Sequence, residues 1–300
     1  MSNLSSQWIE ELNNVRNENI LSPSTYERVV DLAVLLNASD ILITHYNKKK
    51  RKVDKVQNLQ MISYYYFVHC YHLGYALYHL ARKGFGSACI VLLRPMIESI
   101  INLSYLWLCK KINGKDTDEL YAWTNYSSVN RNSIDKRWKQ LQAHRAELGY
   151  PSLTPEKLLE ETTSKEYEKD AVEFRLKYGR KHWSKISSLD GRARAVDDTG
   201  ILFKRTGIVL EDLYVMCYKW LSELVHGDSS GAESYIHEVS EKLYIDFGPN
   251  HKNVDIILPM CTQVMIQLLD ITNHINHLNV DLLRQYKESG LSVLHRKNVD

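Results

Sequence analysis

The run Ala88–Leu108 is the most apolar stretch of the chain, and Arg94, Pro95, Glu98 and Asn102 interrupt it. Few structures tolerate that combination. The run matches a bilayer span in length, but an Arg and a Glu near its centre argue against a membrane helix. It therefore reads as a core helix that carries charge through a folded interior. Arg94 and Glu98 stand at i,i+4, so they share one face, and Asn102 extends it by another turn. Charged residues in such a setting are rarely buried unless paired. Arg ahead of Glu is the weaker order for a helix pair, so local helix support explains the two poorly. Pro95 removes a backbone hydrogen bond and crowds the preceding turn at a cost of about 3 kcal/mol. A kink is expected there, exposing a carbonyl near Arg94.

The surrounding sequence is helical in period. Ser24 and Glu27 form a capping box ahead of a helix reaching about Tyr46. A second helix, about Leu59–Arg82, carries Tyr66, Cys70, Leu73, Leu77 and Leu80 on one stripe. Gly84 and Gly86 turn it into the Arg94 helix, about Ser87–Lys111, which gives an antiparallel hairpin. Charged helical patterns follow at about Asp118–Leu148 and Pro155–Tyr178, separated by Gly149-Tyr150-Pro151. Gly179–Gly200 reads as a loop, Glu211–His226 as a helix, Tyr244–Pro249 as an irregular or short strand segment, and Asn253–Lys287 as the last helix. The expected fold is all-α: a multi-helix bundle with a charged helical insertion. Its divisions fall at 1–112 (N-terminal helices and core hairpin), 113–200 (middle lobe and loop), 201–288 (C-terminal core helices) and 289–300 (tail).

Composition narrows the function. The 300 residues are 44% hydrophobic and 25% charged, with a net charge of +2. That excludes a protein held to nucleic acid by overall charge, and a disordered polyelectrolyte. Five scattered Cys and an N-terminus without an apolar leader point to a reducing, cytoplasmic setting, with no membrane role. Walker loops, G-x-S-x-G elbows and G-x-G-x-x-G turns are absent.

A second polar group lies far along the chain, at Ser222-Glu223-Leu224-Val225-His226-Gly227. Ser222 and His226 share a face at i,i+4, and the preceding LYVMCYKWL is apolar. His226 falls at an expected helix C-terminus, where the dipole favours imidazolium. If the two groups meet across the bundle, a guanidinium, a carboxylate and an imidazole can hold a phosphate and move a proton. The alternative is structural: Arg94–Glu98 as a buried pair fixing helix register and His226-Gly227 as a C-terminal cap.

The motifs L-x-R-x3-E (Leu92, Arg94, Glu98) and Y-x3-S-x3-H-G (Tyr218, Ser222, His226, Gly227) resemble an uncharacterised bacterial family, a domain of unknown function. The resemblance spans about Tyr64–Leu108 and Leu213–Asp228. It implies an all-helical cytoplasmic protein in which Arg94, Glu98, Ser222 and His226 share a polar site. A looser similarity is to HEPN-type ribonucleases, which pair an Arg with a His, work without metal, and commonly act as homodimers in phage-defence or toxin systems. Their usual spacing of Arg and His is matched here by Arg137–His144 and Arg175–His182, but chance alone supplies roughly two such matches. The similarity thus implies that Arg94 and His226 act from different helices. On that expectation the chain is a metal-independent endoribonuclease with catalytic Arg94, Glu98, Ser222 and His226. Its partners would be RNA, a second copy, and a defence or toxin partner protein. The other expectation is a non-enzymatic helical sensor or partner-binding module built on the same four residues.

Weaker signals complete the reading. Arg180, Lys181, His182 and Trp183 form a basic, aromatic loop suited to phosphate contact and stacking, and with Asn102 they are candidate binding residues. Lys48–Val53 is a basic run of a kind that is more often a solvated turn. His69-x-x-His72, His274-x-x-His277 and Glu223-x-x-His226 do not amount to a metal site, and no cofactor is expected. Nineteen Tyr against five Phe point to hydroxyl-tipped helix interfaces or a stacking wall.

Overall fold

The computed structural model describes residues 22–50, 58–114, 117–151, 161–225, 236–239, 242–245 and 253–278. The fold is all-α, with one small hairpin of strands. Two compact units divide the chain, Met1–Trp107 with Leu189–Asp300, and Leu108–Ser188.

In the larger unit, α1 (Pro23–Lys50), α2 (Asn58–Arg82), the main part of α3 (Gly86–Asn113) and α10 (Val254–Ile275) form the core. The cap of α1 lies two residues earlier than the capping box implied. Ser22 Oγ accepts the Thr25 amide at 3.2 Å, and Pro23 takes the first helical position, where a missing N–H costs nothing. The helix also continues through Lys48, Lys49 and Lys50, so this part of the basic run is helical rather than a turn; Arg51–Val53 lie outside the described residues. Gly84 supplies the left-handed turn (φ 77°) between α2 and α3. Gly74 marks how closely the core helices approach. A Cβ there would meet Met265 Sδ at 3.5 Å, a Leu36 methyl at 3.6 Å and Met96 Cε at 3.8 Å, from α10, α1 and α3. Leu32, Leu35, Phe67, Leu77, Leu93, Ile97, Leu258 and Leu268 are sealed in this interior.

α10 is as apolar as a membrane span and carries its own internal proline. Pro259 cannot donate to the carbonyl of Asp255, one turn earlier. The Arg28 guanidinium donates to that carbonyl instead, and Thr25 Oγ1 donates to the Asp255 carboxylate at 2.7 Å. The proline defect thereby becomes the contact that pins α1 to α10. The helix ends at Ile275 rather than near Lys287, with Asn276 capping it and His277 at φ 49°. Among the described residues three helices (Pro23–Lys48, Gly86–Asn113 and Val254–Ile275) are long and apolar enough to cross a membrane, and each packs most of that window inside the fold.

After Ser188 the chain departs from the expected loop. Leu189–Asp197 is a helix (α6), with Arg192, Ala193 and Val196 buried on one face. Short α7 (Ile201–Thr206) follows, between Gly200 and Gly207. Then one continuous helix runs from Leu210 to Val225 in three parts: α8 (Leu210–Asp212), a π-helical segment (Leu213–Lys219) and α9 (Trp220–Val225). Beyond it β1 (Ile236–Val239) pairs antiparallel with β2 (Lys242–Ile245), with Ile236 opposite Ile245. Expected strand character at Tyr244 is thus met two residues earlier, and 246–249 lie outside the described residues.

The smaller unit is a helical hairpin of α4 (Asp118–Glu147) and α5 (Glu161–Tyr178). Ser128 Oγ bonds Asp170 Oδ2 at 3.0 Å, and Lys136 pairs with Glu168 at 3.2 Å.

Candidate functional site

Arg94, Glu98 and Asn102 lie on successive turns of α3, and the structure gives each a different environment. Arg94 is half-buried, Glu98 is exposed and Asn102 is buried. Among the described residues no carboxylate pairs with Arg94. Its Nη2 donates to Tyr218 Oη at 3.2 Å, and the guanidinium carbon lies 4.9 Å from the centre of the same ring. Tyr218 stacks in turn on Tyr214, with ring centres 5.4 Å apart and planes 20° apart. Burial pushes the Tyr214 phenol upward from its ordinary value.

The charge of Glu98 is felt on α6. Arg192 is 4% exposed, and its Nε donates to Asn102 Oδ1 at 2.9 Å in a buried contact. Burial lowers the pKa of this guanidinium, and the charge of Glu98 is the largest effect opposing that. Among the described residues no ion pair joins Arg94 to Glu98, and the charge of Glu98 acts instead on Arg192 of α6. Arg192 was missed because Gly191 and the flanking charges read as loop. The available signal was the period of Leu189, Ala193 and Val196, which fits a short amphipathic helix with Arg192 on its inner side.

Two further contacts fix α6 against the π-helical segment. The Asp197 carboxylate accepts the amides of Leu210 and Glu211 at 3.0 and 2.8 Å, capping the helix that becomes π. Arg194 Nε bonds Glu211 Oε1 at 3.0 Å. π segments are rare, usually single-turn, and often found at functional sites. This one delivers Tyr214 and Tyr218 to Arg94. Ser222 follows one turn later in α9 and is half-buried. His226 and Gly227 lie outside the described residues, as does the side chain of Glu223.

Arg180, Lys181, His182 and Trp183 belong to the other unit. Trp183 is buried at 6% exposure, Arg180 Nη2 donates to the Trp183 carbonyl at 2.9 Å, and His182 Nδ1 accepts the Ser184 amide at 3.1 Å. Arg180 also lies 3.9 Å from buried Glu119, which Lys185 approaches at 3.6 Å. The loop is therefore folded back on its own contacts, with Lys181 its exposed cation. Among the described residues no group of three His, Cys, Asp or Glu is arranged to hold a metal ion.

Residues 60–243 match a family of unknown function (DUF5677). The chain belongs to this family. The matched region runs from α2 through α9 and β1 to the start of β2, so it includes the middle unit as well as Arg94, Arg192 and Tyr218. No curated protein and no solved structure matches the chain. The looser likeness to HEPN-type ribonucleases finds no support in these comparisons, and the DUF5677 family carries no established activity.

What the arrangement can do follows from its charges. A water-reachable guanidinium, steadied by a neutral phenol and lacking a carboxylate partner among the described residues, is a ready ligand for phosphate or carboxylate. Beside it, Arg192 and Asn102 form a buried hydrogen bond, and among the described residues neither engages Arg94.

Proposed function

We propose that this chain is a metal-independent endoribonuclease whose phosphate-holding group is Arg94. The observation that carries the reading is the cation left without a counter-ion among the described residues, in one of the most apolar helices of the protein, beside a π-helical segment. A guanidinium placed there for stability alone would be expected to take the carboxylate one turn away. Tyr218 holds Arg94 by its hydroxyl and ring face, so the charge stays oriented while its remaining N–H groups meet a phosphodiester. His226, two helical turns after Tyr218 in sequence, takes the proton of the ribose 2′-OH. The 2′-oxygen then attacks phosphorus, the 5′-oxygen leaves and takes up a proton from solvent, and Arg94 stabilises the charge that develops. Ser222 adds a hydrogen bond, and the charge of Glu98 favours the Arg192 guanidinium. A cytoplasmic setting, a homodimer and a defence or toxin role are further expectations of this reading.

The test is incubation of the purified chain with total RNA beside Arg94→Ala, Tyr218→Phe and His226→Ala. Wild type should cleave, His226→Ala should be inactive, and Tyr218→Phe should retain part of the rate at unchanged melting temperature. Equal RNA integrity for wild type and His226→Ala at matched folding overturns the proposal.

One observation favours the non-enzymatic alternative, a helical sensor or partner-binding module. The buried Arg192–Asn102 bond is the kind of polar contact that specifies a packing arrangement. That reading requires Arg94→Ala to melt well below wild type. An Arg94→Ala protein of native stability that no longer acts on RNA rejects it.

A further inference from the structure

The second half of α4 is poor in buried side chains. The buried residues of this helix are Glu119, Leu120, Ala122, Val129, Asn132 and Asp135, and none from Lys136 to Tyr150 is buried. Helix is hard to sustain there by propensity alone, since most helical stability comes from packing an apolar face. The segment has such a face. Ile134, Leu141 and Leu148 recur every seven residues and are 59%, 45% and 56% exposed. Half-buried Trp138 borders the same line. Ile134, Trp138, Leu141 and Leu148 together make a line about as narrow as the seam of a helix–helix contact, narrower than the face of a helix lying in a lipid surface.

The charges beside the seam say what fits it. Arg137 and His144 flank one side and Arg145 the other; Lys136 and Lys139 are taken up by Glu168 at 3.2 Å and Asp135 at 2.8 Å, and His144 lies 3.6 Å from Glu147, so the two arginines are the charges that stand beside the seam. Arg145 is fixed by donating to the Pro151 carbonyl at 3.0 Å and by lying 5.6 Å from the Tyr150 ring centre. A second copy docking through the same seam would set these arginines against one another. Flanking charges select partners in such contacts.

We propose that the exposed seam of α4 docks an amphipathic helix of another protein, one whose apolar repeat is flanked by Glu or Asp. The contact lies in the Leu108–Ser188 unit and uses none of the residues assigned to the Arg94 site, so it stands or falls independently of that reading.

The test uses the full chain and a fluorescein-labelled synthetic helix of about three heptads, with Ile and Leu at the seam positions and Glu at both flanks. A second peptide carries Lys at the flanks, and vesicles of phosphatidylcholine with phosphatidylserine serve as a third probe. The Glu peptide should bind saturably, at least about tenfold more tightly than the Lys peptide, and weaken as salt rises. Leu141→Gln and Arg137→Glu should each weaken it by about tenfold or more, with far-ultraviolet circular dichroism unchanged. Equal affinity for both peptides, or no binding of the Glu peptide, overturns the proposal. So does Leu141-dependent self-association, which assigns the seam to a second copy. Leu141-dependent binding to the vesicles without binding to the peptide assigns it to a lipid surface and equally overturns it.

Discussion

The two arginines around Glu98 should separate cleanly on mutation, and in the opposite sense from their order of appearance in the sequence. Asn102→Ala removes the oxygen that accepts from Arg192 Nε at 2.9 Å, in a place where Arg192 is 4% and Asn102 6% exposed. A hydrogen bond to a charged group contributes about 1.5–3 kcal/mol, and a buried donor left without a partner costs the upper part of that range. Asn102→Ala should therefore destabilise by about 2–3 kcal/mol, which in a chain of this size lowers the melting midpoint by about 5–10 °C. Asn102→Asp keeps an accepting oxygen and should recover most of the loss. Arg94→Ala removes a half-exposed cation held by a neutral phenol, and the ring contact is worth about 0.5–1 kcal/mol at such a site. Its hydrogen bond adds an amount of the same order, offset by water that solvates the freed hydroxyl. Its midpoint should fall by no more than about 2–4 °C. Urea and thermal unfolding followed by circular dichroism at matched concentration give both numbers. An Arg94→Ala protein as unstable as Asn102→Ala would refute the assignment of Arg192 to structure and Arg94 to function.

Burial raises the Asp197 carboxyl above its ordinary value of 3.8, while the amides of Leu210 and Glu211 act to lower it. The folded chain then holds this proton more tightly than the unfolded one, so the group's contribution is fully present below about 3.8 and lost as pH climbs through the raised value. Asp197→Asn should flatten that decline in a pH series of unfolding curves, and Asp197→Ala should cost about 1 kcal/mol at neutral pH by removing the cap. Among the five free thiols, burial pushes Cys70 and Cys89 up to about 12 and also raises Cys217 and Cys261. Cys109 is the one not fully buried. An aromatic disulfide reagent at neutral pH should modify Cys109 quickly and the other four only on unfolding, and Cys109→Ser should abolish the fast phase.

Legibility along the sequence followed the strength of the apolar period. α2 and α3 lie within two residues of their expected bounds at each end, because α2 keeps a buried stripe over many turns, α3 is apolar nearly throughout, and each is closed by glycine. Pro95 and Pro259 did not stop their helices, since tertiary packing outweighs one lost hydrogen bond and, at Asp255, Arg28 takes the lost donor's place. The site was half legible. Charged residues inside an apolar helix marked Arg94, Glu98 and Asn102, but pairing is a property of neighbours in space. The neighbour that mattered, Arg192, sat in nine residues whose charges and glycine hid a helix. Tyr218 entered only as part of a motif; nothing in its local pattern announced that it would meet Arg94.

The reason is the π-helical segment, and it yields the sharpest remaining test. A π turn bonds i to i+5 and holds roughly one residue more than an α turn, so over Leu213–Lys219 the helix face slips by roughly a third of a turn. Residues placed on one face by α-helical counting before Leu213 are off that face after Lys219, which is why α-helical spacing misjudges what lies opposite Arg94. One extra residue in a helix suffices to create such a segment, and removing one should restore α geometry. Met216 is 69% exposed, so its deletion removes little packing. The shortened helix should be no less stable by more than about 1 kcal/mol, because better backbone hydrogen bonds offset the local adjustment. Rotation of Tyr214 relative to Tyr218 should part the stacked rings and release Arg94, so that RNA cleavage and inorganic phosphate binding fall together while the fold persists. If the deletion unfolds the chain, the π segment is a requirement of packing rather than of the site. If it leaves phosphate binding intact, Tyr218 does not hold Arg94 for that purpose. Either result would remove the link drawn between the irregular helix and the chemistry beside it.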